Sequence, residues 1–420
     1  MSYHFRVDSD FNTHCCNYWI CYGILQHQLR QPREGNNVAT SSHDDDELWH
    51  AAGALQREMR LDVDYYNHSH HQSLPSHLTT MASMPHCASP SHGVLGLLLI
   101  PARNMLRHFN KLGVLKLSHC SFSFSSPPFL CCSSLRFLWL DHCQDQVIST
   151  VEEGDEENIR RCFKRLWVLD VRYTPCDRIL SAQMLDFMTQ LRELNVIGAQ
   201  DLDVGQLHGC LPNIRKLRVT KSTVGCNSCS ESNLLLGMNK MELLDFSGNR
   251  TKQEGGVAAN LSGISTSSNQ LETLIIIDGC VGIQKFSFRG CAKLKNLLLS
   301  GLFEDLCTLD LSGTAVKTLD LSAMTARSLD ELILDNCDKL CAILWPPRRR
   351  YLQKMHIDTT QSGSTSRSGE GKSKAGSTAA TESSSLSWPM VLVHGARAPS
   401  QFDWYISIKD ARLLRSFVPS

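Results

Sequence analysis

One spacing dominates this sequence: apolar-x-x-apolar-x-apolar, thirteen times between Leu112 and Asp358. It reads LGVLKLSHC from Leu112, LRFLWLDHC from Leu135, LWVLDVRYT from Leu166, LRELNVIGA from Leu191, IRKLRVTKS from Ile214 and MELLDFSGN from Met241. It continues from Leu271, Ile283, Leu294, Leu306, Val316, Leu329 and Leu352. Chance clustering of leucine does not produce so many matches. Alternating apolar positions mark a strand buried on one face. Recurrence at a period of roughly 20–50 residues marks a stack of coils, each burying its apolar side against its neighbours.

From Leu112 the motif steps by 23, 31, 25, 23 and 27 residues. From Leu271 to Leu329 it recurs every 10–13 residues, too few for a whole coil. Two interleaved series resolve this. Ile283, Leu306, Leu329 and Leu352 stand 23 apart, and Leu271, Leu294 and Val316 lie between them at steps of 23 and 22. The expected fold is an α/β leucine-rich-repeat solenoid, with a curved parallel sheet on the concave face and irregular or short helical return segments. The ninth motif position separates the two series, because a buried donor there satisfies backbone carbonyls in the turn leaving the strand. Cys291, Thr314 and Cys337 hold that place in the Ile283 series, against Gly279, Leu302 and Met324 in the other. The Ile283 series is therefore expected on the concave sheet, in line with Cys120, Cys143, Thr174 and Asn249 of the earlier coils. These cysteines are expected to be structural, not metal ligands.

The expected organisation is a poorly ordered, His-rich region at 1–90 with one short helix at about 46–60, a cap at 91–111, the solenoid at 112–358, a Ser/Gly/Thr-rich linker at 359–387 and a strand or incomplete repeat at 388–420. Ten of the 17 histidines fall in the first 90 residues, His68, His70 and His71 among them. No C-x-x-C is paired with H-x-x-x-H, so no zinc site is expected. Leu48, Ala52, Leu55 and Met59 have helical spacing after the acidic run Asp44-Asp45-Asp46. That helix is expected to cap the open end of the first repeat.

The start, MSYHFRVDSDFN, has no apolar segment after a basic one, so the 18 cysteines are expected as reduced thiols. The longest apolar run, Val94 to Ile100, is interrupted by Gly96 and stopped by Pro101. A spanning helix needs about 20 such residues, so no membrane segment is expected. Lys and Arg (42) balance Asp and Glu (42), which argues against a basic nucleic-acid binder. No H-E-x-x-H or G-x-S-x-G occurs, and Cys226-Asn227-Ser228-Cys229 lacks the βαβ context of a thiol oxidoreductase. Gly371-Lys372-Ser373 has Ser366 where a phosphate loop needs glycine, in a low-complexity stretch with no strand before it. No catalytic residue, cofactor, nucleotide or metal is expected. The sequons at Asn67, Asn249 and Asn260 matter only in a secreted chain.

The irregular repeat lengths, the Cys-ended motifs LSHC, LDHC and LDNC, and LDLSGTAVKTLDLSA resemble the leucine-rich-repeat portion of plant nucleotide-binding disease-resistance proteins. DELWHAAGALQREMRLDVDYY from Asp46 and FDWYISIKDARLLRSF from Phe402 are similar to parts of such proteins in grasses. The resemblance covers most of the chain after about Asp44. It implies a cytoplasmic or nuclear, non-enzymatic sensor of a pathogen effector or modified host protein, restraining an ADP/ATP switch domain. That domain is missing here, so a truncated product or fragment is expected, with the switch domain of a related chain as a further partner. An extracellular receptor-like repeat protein, faintly echoed by Asn260-Leu261-Ser262-Gly263-Ile264, is a second reading. A substrate-receptor subunit of a ubiquitin ligase is a third.

Function is then expected on the strand face. Motif positions 4 and 6 point into the core; positions 3, 5 and 7 point out. Position 5 gives the row Lys116, Trp139, Asp170, Asn195, Arg218 and Asp245, flanked by Phe137, Asp141, Arg172 and Lys216. Exposed Trp and Arg are typical anchors of protein recognition. Trp139 is accordingly expected in solvent, where its replacement would leave the fold intact.

Overall fold

Each coil leaves its strand through a sharp corner, and that corner sets the architecture. The eighth motif residue takes a left-handed backbone at His119, His142, Tyr173, Lys221, Asp278 and Asn336, and at the glycines 198, 248, 290, 301 and 313. The computed structural model describes residues 111–124, 126–146, 155–226, 237–251, 261–346, 352–360 and 403–417. It also describes Leu235, the strand Val94–Leu97, residues 48–54, and His14, Cys16, Asn17, Ile20 and Cys21. The chain forms two compact units, one of residues 1–179 with 186–193, the other of 180–185 with 194–420.

In the first unit the strands Val94–Leu97, Val114–Ser118, Phe137–Asp141 and Val168–Arg172 pair in parallel in that order. Leu115, Leu138 and Leu169 fall in register and are buried, as are Leu117, Leu140 and Val171. Behind them the helix Asp155–Phe163 buries Cys162 and Phe163, whose ring meets Phe129 edge-on at 6.1 Å.

The second unit has two ladders. One runs through Lys216–Thr220, Leu243–Asp245, Thr273–Ile276 and Asn296–Leu299. The other runs through Gly263–Ser265, Lys285–Ser287, Thr308–Asp310, Glu331–Leu334 and Lys354–Asp358. Phe286, Leu309, Leu332 and Met355 pair in turn, so each coil there takes 23 residues. Strand Asp403–Ser407 adds to this ladder, and Trp404 donates its indole N–H to Leu352 O at 2.8 Å. The turn after it packs Phe417 on Trp345 and accepts the Ile343 N–H on Ser416 Oγ.

This arrangement corrects the assignment of the two series. The ladder of the earlier coils continues through the Leu271 and Leu294 strands, and the Ile283 series forms the second ladder. The reason is one extra residue. In LETLIIIDGC both Asp278 and Gly279 are left-handed, so the buried donor is Cys280, in tenth place. Cys280 pairs in register with Asn249, and its thiol donates to Phe246 O at 3.1 Å.

At most other corners the ninth position acts as expected; Thr314 does not, since its buried hydroxyl makes no hydrogen bond among the described residues. Asn249 Nδ2 donates to Val219 O and Phe246 O at 2.6 and 3.0 Å, and its Oδ1 accepts the Ser222 N–H at 2.9 Å. Cys143 donates its N–H to Thr174 Oγ1, which donates to Arg172 O. The Cys291 and Cys337 thiols each donate to a carbonyl, of Thr266 and Leu311 respectively, at 3.3 Å. Burial of Asn249 also closes its sequon in the folded chain. Residues 361–402, with Gly371-Lys372-Ser373, lie outside the described residues. Among the described residues no helix is long and apolar enough to cross a membrane.

The corner glycines differ in what surrounds them. A Cβ at Gly279 (φ +72°) would fall 1.9 Å from Leu302 O, whereas one at Gly290 (φ +80°) would meet nothing within 4 Å. Gly290→Ala should therefore cost only the left-handed strain, about 1–2 kcal/mol, and Gly279→Ala markedly more. Urea midpoints of the two variants check this; equal shifts would contradict the packing at Gly279.

Candidate protein-recognition face

The strand register brings the position-5 row together within each unit as read. Lys116, Trp139 and Asp170 pair in line, and Arg218 pairs with Asp245. Exposure is another matter. Phe137 and Asp170 are 0% exposed, Asn195 2% and Trp139 9%. Lys116, Asp141, Arg172, Lys216, Arg218 and Asp245 are half-buried.

In the first unit the cover is the chain's own N-terminal region. Cys16, Ile20, Cys21, Leu48 and Ala52, with Trp49, pack on Val114, Phe137, Trp139, Trp167 and Val168. Cys16 and Ile20, like Leu48 and Ala52, are four apart on a helix and share a face. The contact is close: a Cβ on Gly113 would stand 2.9 Å from Cys21 O. Leu48 and Ala52 thus lie on the sheet across three coils, not over an open end; Leu55 and Met59 fall outside the described residues. A signal for this was present in the sequence. Outward position 3 holds Val114, Phe137 and Val168 in succession, and a solvated face has no use for an apolar row.

Charges complete the cover. Asp170 accepts Arg172 Nε and Nη2 at 2.8 and 3.0 Å and His14 Nε2 at 2.6 Å. The amide of Asn17 donates to His14 Nδ1 at 2.9 Å, which leaves Nε2 to carry the proton that Asp170 receives. Burial pushes the Asp170 carboxyl up, but the hydrogen bonds from His14 and Arg172 outweigh it and hold it below the usual carboxylate value. The Trp139 ring lies between Lys116 Nζ at 3.9 Å and the Arg172 guanidinium at 4.3 Å. Arg136 sits over Trp167 at 4.2 Å, and Trp49 meets that ring edge-on at 6.4 Å. Trp139 is therefore a filled core position, contrary to its expected place in solvent.

The second unit presents a different face. Arg218 Nη1 donates to Asn195 Oδ1 at 3.0 Å. Asp245 Oδ1 accepts the N–H and hydroxyl of Ser247. Asp310 with Ser312, Asp320 with Ser322 and Asp358 with Thr360 repeat this local turn. Asp245 thus serves its own corner. Beyond it in register come Ile275 and Leu298. Leu298 is 53% exposed and Ile277 42%. Sequence reasoning missed both, because in the unbroken runs LIII and LLL no alternation separates core from surface.

Fourteen described cysteines are free thiols, and Cys226 departs from the expectation by being disulfide-bonded. Burial pushes the thiols of Cys21, Cys132, Cys280 and Cys291 up to about 12 and that of Cys143 to about 11. Thiols so raised stay protonated at neutral pH and are poor nucleophiles.

Parallel coils, many of them closed by a buried donor that bonds backbone carbonyls at its corner, decide the architecture. The chain is a leucine-rich-repeat solenoid. No family model and no curated protein matches it. Among solved structures it is similar to the leucine-rich-repeat domain of the type III effector XopL, at 15% identity over 83% of this chain and 98% of that one, with a TM-score of 0.35. The leucine-rich-repeat domain of APL1B gives 14% identity over 66% and 80%, with a TM-score of 0.34. TLR13, in a complex with ssRNA13, gives 16% identity and a TM-score of 0.30, and this chain spans 46% of its length. These likenesses concern the fold alone.

Trp139→Ala should cost about 3–5 kcal/mol, the loss expected of a core aromatic, and thermal melts beside Leu140→Ala check it. The depressed Asp170 carboxyl adds a pH dependence. Its contribution is full above the ordinary value of 3.8 and is lost as pH falls below that. Denaturant midpoints from about pH 5 down to about pH 2 should fall less steeply in Asp170→Asn than in the parent.

Proposed function

We propose that this protein is a non-enzymatic protein-recognition module of plant immunity, binding a pathogen effector or a modified host protein. The observation that carries the reading is the open sheet face of the second unit, where Ile277, just past the strand Thr273–Ile276, and Leu298, on Asn296–Leu299, stand in solvent. Lys216 and Arg218, on the strand Lys216–Thr220 two strands before Thr273–Ile276 in the same sheet, supply positive charge. Apolar side chains exposed beside charge suit a partner's apolar anchor, with the charges fixing its orientation. The plant-immunity assignment rests on the Cys-ended motifs and on the similarity of Asp46–Tyr66 and Phe402–Phe417 to disease-resistance proteins of grasses. On that reading the chain acts in the cytoplasm or nucleus and engages the switch domain of a related chain.

A two-hybrid screen against effector and host libraries, repeated with Leu298→Asp and Ile277→Asp, tests this. Partners of the parent should bind each variant about 30-fold more weakly, the equivalent of about 2 kcal/mol. Both positions are exposed, so the melting behaviour should change by no more than about 0.5 kcal/mol. Partners that bind both variants undiminished would overturn the assignment of this face. For the immune role, co-expression in leaf tissue with the switch domain of a related chain should suppress that domain's cell-death response; an unchanged response would count against it.

A further inference from the structure

Two exposed leucines flank one exposed carboxylate on successive coils of the second unit. Leu298 is 53% exposed and Leu344 46%, and Asp320, on the coil between them, is exposed as well. The strand Thr318–Asp320 pairs in parallel with Ala342–Leu344 and sets Asp320 opposite Leu344. It also packs beside Asn296–Leu299, one coil earlier. The next residues, Leu299 and Leu321, are both buried, so alternation puts Leu298 and Asp320 on the same outward side. Across three coils the row reads leucine, aspartate, leucine.

The carboxylate is only half used. Asp320 Oδ1 accepts the N–H and the hydroxyl of Ser322 at 2.9 and 2.6 Å. Among the described residues nothing donates to its Oδ2 and no cation forms an ion pair with it. Asp310, which makes the same turn in the other ladder, has Arg289 at 4.0 Å. The positions beside the row hold short side chains, Thr318 and Ala342 before it and Ser300 and Ser322 after it. Short neighbours leave a partner's backbone room to approach.

Spacing then decides the kind of partner. Neighbouring strands lie about 4.8 Å apart, so Leu298 and Leu344, two strands apart, stand about 10 Å from each other. Along an α-helix, positions i and i+7 are about 10.5 Å apart on one face, with i+3 and i+4 between them. An extended segment does not fit: its same-face residues are about 6.7 and 13 Å apart, and its residue at about 10 Å points the other way. A cation at i+3 or i+4 of a helix falls over Asp320 Oδ2, where the leucines on either side exclude water and strengthen the pair. Resting on the reading of this sheet as a recognition face, we infer that its ligand is an amphipathic α-helix laid across the coils, with apolar residues at i and i+7 on Leu298 and Leu344 and Arg or Lys between them on Asp320.

Panning a phage-displayed library of alanine-rich helical peptides on the full chain tests this. Peptides whose capture depends on Leu298 should carry apolar residues at i and i+7 and Arg or Lys at i+3 or i+4. Fluorescence anisotropy of one selected peptide then measures the variants. Leu298→Asp and Leu344→Asp should each weaken it about 30-fold. Asp320→Asn removes the charge but keeps the acceptor for Ser322, and should weaken it about 10-fold. Replacing the peptide's cation by Gln should abolish that last effect, because the cycle isolates the pair. Melting should be unchanged in all three variants, since each position is exposed. Selected peptides without a central cation, an Asp320→Asn effect that survives the Gln replacement, or capture that needs Leu298 but not Leu344 would overturn the helix while leaving the recognition face standing. A library that yields no peptide dependent on Leu298 would count against the face itself.

Discussion

A corner that leaves a strand exposes carbonyls to a dry interior, and buried side-chain donors at most of the corners pair them. Asn249 is the fullest solution, bonding two carbonyls and one N–H from within the core. Cys143, Cys280, Cys291 and Cys337 do the same work with a weaker donor, and Thr174 and Ser222 with a hydroxyl. Each bond contributes only about 1 kcal/mol net, but leaving a buried carbonyl unpaired costs more. The Cys143, Cys280 and Cys291 thiols that fill these sites are held protonated by burial, so at these corners cysteine serves as a structural donor.

The same alternation of side chains produces two different faces. In the first unit the outward positions carry Val114, Phe137 and Val168, and N-terminal residues bury them. Once covered, Asp170 becomes internal, while Lys116 and Arg172 are half-buried. Lys116 and Arg172 bracket Trp139, and Asp170 is held by His14 and Arg172. Removing His14 or Arg172 would leave the fully buried Asp170 carboxylate short of a partner. In the second unit Ile277 and Leu298 have no such cover among the described residues, and the proposed recognition face follows from that difference.

Much of the fold could be read from the chain. The thirteen motifs located the strands, the 23-residue step measured the coil, and the two interleaved series anticipated two ladders in the second unit. The error of assigning the Ile283 series to the ladder of the earlier coils came from counting to a ninth position where Asp278 and Gly279 had inserted a tenth. Backbone conformation at two residues outweighed a residue-type pattern. Within the position-5 row, Lys116, Trp139 and Asp170 fall in register, as do Arg218 and Asp245, because a period of two is a local property of any strand.

What the sequence could not decide was which outward residues stay outward. Alternation tells which side of a strand a residue occupies, and nothing about what lies against that side. The fate of Trp139 depended on His14, Ile20 and Leu48, all more than 80 residues away, with Trp49 edge-on to Trp167. Pairing at that distance leaves no periodic trace. The His119 and His142 pair shows the same division. The stacking of one ring on the other exists only when successive coils are superposed.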